Sequence, residues 1–131
     1  MIHYKIVSLP DRISSEEVKY QHYPRICDRR KVQLSELSQQ ISKECSFTSA
    51  DVIGVLEAFI SVVPRMLLDN CSVELGDFGI FSLHAKAKGS PAVHQVSSKN
   101  ISEVKMVFRP GKRVKQSLAE AKFQKQESRK K

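Results

Sequence analysis

The side chains with the most chemical capacity in this sequence are cations. Lys86, Lys88, Lys99, Lys105, Arg109, Lys112, Arg113 and Lys115 recur through one short stretch of the chain. Lysine and arginine at this density hold anions: arginine presents a planar fork of donors, lysine a mobile point charge. Residues 84–131 carry 13 basic and 3 acidic side chains, whereas residues 1–83 carry 9 and 11. The formal net charge of +8 is therefore a segment of +10 joined to a body of −2. A localised excess of this kind points to an anion-binding surface, with nucleic acid as the first partner and a membrane surface as the second.

Other chemistry finds less support. His3, His22, His84 and His94 lack the i, i+4 spacing of a helical metal site, and no Cys or Asp stands at ligand spacing from them. Gly111-Lys112 is not a phosphate-binding P-loop, because position 106 is Met where that motif needs its first glycine. No Gly-x-Ser-x-Gly occurs, and no cysteine has an obvious activating base. Without a convergent set of titratable groups, no enzyme, cofactor, metal or small-molecule substrate is expected. Phe59, Phe78, Phe81 and Phe108 could stack on bases, but their spacing within apolar faces reads as core.

The elements that must position the cations follow from hydrophobic periodicity. Ile2, Tyr4 and Ile6 suit a short strand, and residues 11–17 read as a loop. Leu34, Leu37 and Ile41 mark one face of a helix that should stop near Cys45. Thr48-Ser49-Ala50-Asp51 resembles a capping box opening a second helix, which runs to about Asp69. Between Val52 and Leu68 its polar stripe is thin: Gly54, Glu57, Ser61 and Arg65. So apolar a helix in so short a chain wants cover from a partner subunit, through Leu56, Phe59, Ile60 and Val63. Pro64 should kink its last turns. From Phe81 the period becomes two, with Phe81, Leu83, Ala85 and Ala87 on one face and Ser82, His84, Lys86 and Lys88 on the other. Gly89-Ser90-Pro91 ends this strand, and residues 92–100 read as an extended excursion. Val104, Met106 and Phe108 line a returning strand, with Lys105 and Arg109 opposite. Basic residues on one side of a two-stranded ribbon could follow a phosphate backbone. A last helix is expected over about 111–123. Lys112, Arg113 and Lys115 crowd its start, where the helix dipole opposes cations and a bound phosphate would relieve the conflict.

Length and composition fit one soluble α+β domain of 131 residues with 40% hydrophobic side chains. Cys27, Cys45 and Cys71 are too few for a disulfide framework, so a reducing cytoplasm is expected. Neither a signal peptide nor a membrane span is evident.

Taken together, Val73-Glu74-Leu75-Gly76-Asp77-Phe78-Gly79-Ile80-Phe81 and Val107-Phe108-Arg109-Pro110-Gly111-Lys112, behind a helical pair over 33–69, resemble the HU/IHF family of bacterial histone-like DNA-binding proteins. That family opens a strand with Gly-Phe-Gly-x-Phe, and here Asp77 stands where the first glycine would be. It begins its last helix with Phe-x-Pro-Gly-Lys. The resemblance covers about residues 33–123 and is closest to a divergent subgroup with an N-terminal extension. It implies two N-terminal helices, a three-stranded antiparallel sheet with an extended β-arm, a C-terminal helix, and an intertwined homodimer cored by Leu56, Phe59, Ile60, Val63, Phe78, Phe81 and Phe108. It also implies arms in the DNA minor groove and a proline wedge at each tip, which here would be Pro91. The usual Gly-Arg-Asn-Pro tip is replaced by Gly89-Ser90-Pro91. Residues 1–32 form the extension, which could add one strand, and residues 124–131 read as a basic disordered tail.

The expected function is double-stranded DNA binding with little sequence preference, with bending or compaction by a homodimer in the nucleoid. Phosphate contacts would come from Lys86, Lys88, Lys99, Lys105, Arg109, Lys112, Arg113 and Lys115. The alternative is a protein-interaction module on the same dimer scaffold that no longer bends DNA. Single-strand or RNA binding is disfavoured, because no exposed aromatic platform is evident.

Overall fold

The computed structural model describes residues 1–11 and 19–127. The chain divides into two units, one made of residues 1–32 and 119–131 and the other of residues 33–118. The loop expected over residues 11–17 lies, apart from Asp11, outside the described residues. Among the described residues there are three helices and two three-stranded sheets, a mixed α+β architecture.

The smaller unit is a sheet. Strands β1 (Ile2–Asp11) and β2 (Lys19–Ile26) form an antiparallel ladder. Strand β6 (Phe123–Lys125) pairs in parallel along the other edge of β1, giving the order β2-β1-β6. Three expectations change here. The extension contributes two strands, and they form a sheet of their own rather than an added edge on the other one. The last helix stops at Leu118 instead of about 123. Gln124 and Lys125 are strand, not disordered tail, because Gln126 N–H and Ile2 N–H tie this segment to Tyr4 O and Lys122 O at 2.8 Å each.

The larger unit begins with α1 (Leu34–Glu44) and α2 (Ser49–Leu68). These helices follow two strands and so do not open the chain. Thr48 caps α2 as its spacing predicts: its hydroxyl accepts from Asp51 N–H at 3.2 Å, and its own N–H donates to the Asp51 carboxylate at 3.4 Å. The helix runs unbroken through Pro64, which cannot donate to the Ile60 carbonyl. It ends where Asn70 turns left-handed at φ 62°. Strands β3 (Val73–Glu74), β4 (Gly79–Ala87) and β5 (Ile101–Pro110) then form an antiparallel sheet in the order β3-β4-β5, followed by α3 (Lys112–Leu118).

The core is small. Among the described residues three apolar side chains are buried, Val52, Val63 and Leu67, all on α2. Ser38 is wholly buried on α1, and its hydroxyl donates to Leu34 O at 2.7 Å. Val55 and Leu68 on α2 remain 69% and 74% exposed.

Candidate nucleic-acid interface

Two glycines build the corner that aims the cations. Gly79 opens β4 opposite Pro110 at φ 152°, a region that side chains avoid. A Cβ at Gly79 would strike the Arg109 carbonyl and the Phe108 ring. Gly111 donates its N–H to Phe78 O at 2.8 Å, and a Cβ there would run into the Asp77 carbonyl. Both sites therefore need the smallest residue so that two backbone segments can touch. Aromatic rings pack beside this contact. Phe78 and Phe81 lie 5.1 and 4.9 Å from Phe108 between centroids, and Phe59 meets Phe81 edge-on at 6.1 Å. Such pairs each add about 0.5–1.5 kcal/mol beyond burial.

The corner launches α3 directly from the end of β5. Lys115 N–H donates to Gly111 O at 3.0 Å, the first bond of the helix. Lys112, Arg113 and Lys115 occupy its opening turn and are all exposed. With no acid in that turn, each cation opposes the helix dipole by a few tenths of a kcal/mol.

The ladder places the remaining cations. Residues opposite one another share a face. His84 faces Lys105, Ile80 faces Arg109, and Lys86 faces Glu103. His84, Lys86, Lys105 and Arg109 thus lie on one side of the ribbon, with Phe81, Leu83, Ala85, Val104, Met106 and Phe108 on the other. Glu103 places a carboxylate among these cations. It was legible in the sequence, since it alternates in step with Lys105 and Arg109. A register shift falls between Lys86 and Ala87, where the ribbon gives way to its tip.

The tip is built rather than extended. Short 3₁₀ turns cover Val93–Gln95 and Ser98–Asn100. Asn100 anchors them: its side-chain amide donates to Lys88 O and Ser90 Oγ at 2.8 Å each, and its oxygen accepts from Ser97 N–H at 2.9 Å. Lys88 and Lys99 flank this knot, both exposed, and Pro91 is exposed beside it. Val93, unremarked in the sequence, is 92% exposed at the same tip. The Ser97-x-x-Asn100 spacing, which repeats a capping pattern, was the available signal.

The residues expected to core a dimer divide. Val63 is buried within the chain, and Leu56, Phe59, Phe81 and Phe108 are half-buried. Ile60 and Phe78 remain 55% and 47% exposed.

A family model described as an HU domain fused to wHTH, Ig, or glycine-rich motif matches residues 1–125. The chain belongs to this family. The HU-like match includes the N-terminal sheet as well as the helices and ribbon. A solved protein from Bacteroides vulgatus ATCC 8482, provisionally described as a bacterial DNA-binding protein, shares the fold with a TM-score of 0.61 at 10% identity. The alignment covers 94% of this chain and 47% of that one, so this chain spans about half the length of its structural neighbour. No curated protein matches it in sequence. Among the described residues, no helix is long and apolar enough to cross a membrane.

Proposed function

We propose that the protein binds double-stranded DNA through its phosphate backbone, with little sequence preference, and acts as a homodimer that bends or compacts DNA in the nucleoid. The observation that carries this reading is the corner at Gly79 and Gly111. It joins the cationic side of the ribbon to Lys112, Arg113 and Lys115, so that cations alternating along a strand and cations crowded on a helix start belong to one construction. The HU-like family supports the DNA partner. The arms would follow the minor groove, with Pro91 as the wedge at each tip and Lys88 and Lys99 beside it.

The homodimer is supported by the sparse core. Ile60, Val55 and Leu68 leave apolar side chains open at more than one side of α2, and a second copy would cover them with residues of the same kind. Ile60→Asp should then convert a dimer to a monomer in light scattering.

Backbone recognition predicts a steep salt dependence, with a log–log slope of about −0.9 per neutralised phosphate. The test is duplex binding by Lys112→Glu with Lys115→Glu. Affinity should fall alike for unrelated sequences, and a loss confined to one sequence would refute the mechanism. Pro91→Ala should reduce bending, read by energy transfer between labelled duplex ends, more than affinity.

One observation favours a second reading. Val93 and Val96 at the tip and Val104 and Met106 on the ribbon are exposed and apolar. An arm of this kind could dock on a protein rather than on DNA. No mobility shift of a duplex at micromolar protein and low salt would favour that module.

A further inference from the structure

The two units do not share the charge as the chain order suggests. Residues 1–32 with 119–131 carry twelve basic and six acidic side chains, and residues 33–118 carry ten and eight. The smaller unit thus holds +6 of the net +8.

Within the ladder, one pair of cations shares a face. Tyr4, Ile6 and Ser8 lie opposite Ile26, Pro24 and His22, and a 2.8 Å bond between Ser8 Oγ and His22 Nδ1 fixes this register. Ile2 lies opposite Phe123 on the same side, which is mostly apolar and aromatic apart from His22 and from Lys125 opposite Tyr4. The reverse side carries Lys5 directly opposite Arg25, then Val7 opposite Tyr23, Leu9 opposite Gln21 and, at the far end, Asp11 opposite Lys19. Like charges facing each other across a ladder repel at side-chain separations of about 5 Å. On the ribbon of the larger unit, Lys86 faces a carboxylate, Glu103. Here Lys5 and Arg25 are both exposed, and among the described residues neither has an acidic ion-pair partner. The chain continues from β2 into Arg29 and Lys31, also exposed. A solvated sheet face has no need of this arrangement, and a bound polyanion would remove its cost.

We infer that the Lys5–Arg25 face of the N-terminal sheet is a second DNA-binding surface, which grips the phosphate backbone of a duplex independently of the ribbon and α3. The partner follows from the placement of the side chains. A bilayer binds an element whose apolar side chains enter it while cations rim them. Most of the sheet's apolar side chains, Tyr4, Ile6, Pro24, Ile26 and Phe123, lie on the side away from Lys5 and Arg25, while Val7, Leu9 and Tyr23 lie on the same side as that pair, so a bilayer entered by the larger apolar set would leave the Lys5–Arg25 pair out of contact. Single strands are held by stacking on several aromatic rings. The cationic face offers Tyr23 alone, and Tyr20 and Phe123 lie on the other side. Phosphate contact without stacking is what a duplex needs.

The inference goes beyond the role proposed for the ribbon, and the two can fail separately. The test is anisotropy of a labelled duplex with the full chain and three variants. Lys5→Glu converts the repulsive pair into an attractive one, so its melting temperature should hold or rise while duplex affinity falls. Lys5→Gln with Arg25→Gln removes two phosphate contacts, so the affinity lost between 50 and 200 mM salt should be about twelvefold smaller than for the parent. Lys112→Glu with Lys115→Glu is the arm-side control. If that control weakens binding while Lys5→Glu and the double variant match the parent, the second surface is refuted and the ribbon role stands. If Lys5→Glu weakens binding and the control does not, the second surface stands and the ribbon role is refuted. Lys5-dependent binding confined to single strands, poly-glutamate or anionic vesicles, with none to duplex, would overturn the inference.

Discussion

Gly79→Ala is the sharpest probe of the corner. The substitution places a methyl group where the Arg109 carbonyl and the Phe108 ring already stand, on a backbone at φ 152°. Holding a side chain in a sparsely populated backbone region costs about 1–3 kcal/mol. Overfilling a packed contact costs about 1–3 kcal/mol more. The lower bound of the sum is about 2 kcal/mol, which lowers the melting temperature of a unit this size by about 8–16 °C. Circular dichroism melts at one fixed protein concentration would read it, because a dimer's melt depends on concentration. Gly54→Ala is the matched control. Its Cβ would meet nothing within 4 Å, and in mid-helix the exchange should stabilise by about 0.5–1 kcal/mol. A Gly79→Ala melt within about 2 °C of the parent would show that the corner is not the close contact described, and the aiming of α3 would lose its basis.

Thr48→Ala removes the hydroxyl of the α2 capping box and should cost about 1 kcal/mol, measured by urea denaturation with an unchanged slope. Asn100→Ala removes the anchor of the arm tip, so limited proteolysis within residues 88–100 should quicken several-fold while the global melt barely moves. The half-buried Cys27 thiol is pushed above its ordinary value by desolvation and by the Asp28 carboxylate, against a downward pull from Lys5. The protonated thiol is therefore favoured near neutral pH. Cys27 should alkylate more slowly than the exposed Cys45 and Cys71, and Asp28→Asn should speed it, as read by peptide mapping.

Sequence legibility followed the length of the periodic signal. Residues 49–68 carry a long apolar helix with a polar cap, and residues 79–110 carry two alternating runs, so the second helix and the ribbon could be read directly. The ring and glycine motifs at 78–81 and 108–112 were visible as words, but their mutual contact needed the fold. Strand β2 was missed although Tyr20, His22, Pro24 and Ile26 alternate with Lys19, Gln21, Tyr23 and Arg25, because an internal proline argues against a strand away from an edge. Strand β6 is three residues long, too short to show any period. The segment of excess charge was drawn past the end of a unit for a related reason. A boundary drawn along the chain cannot see that 119–131 belongs with 1–32 rather than with the helix before it.

The parallel pairing of Ile2 with Phe123 also orders events at the ribosome. The β1–β2 hairpin is local and can close early, but one edge of β1 must wait for residues made 121 positions later. At cellular elongation rates that delay is on the order of ten seconds. Throughout it, one edge of β1 carries an unpaired row of backbone donors and acceptors. A chain stalled at Leu118 would hold the complete sequence of the helical and ribbon unit while its opening sheet still had an unpaired edge. Residues 123–125 thus seal the edge of residues 2–4, and removing them should be felt in β1.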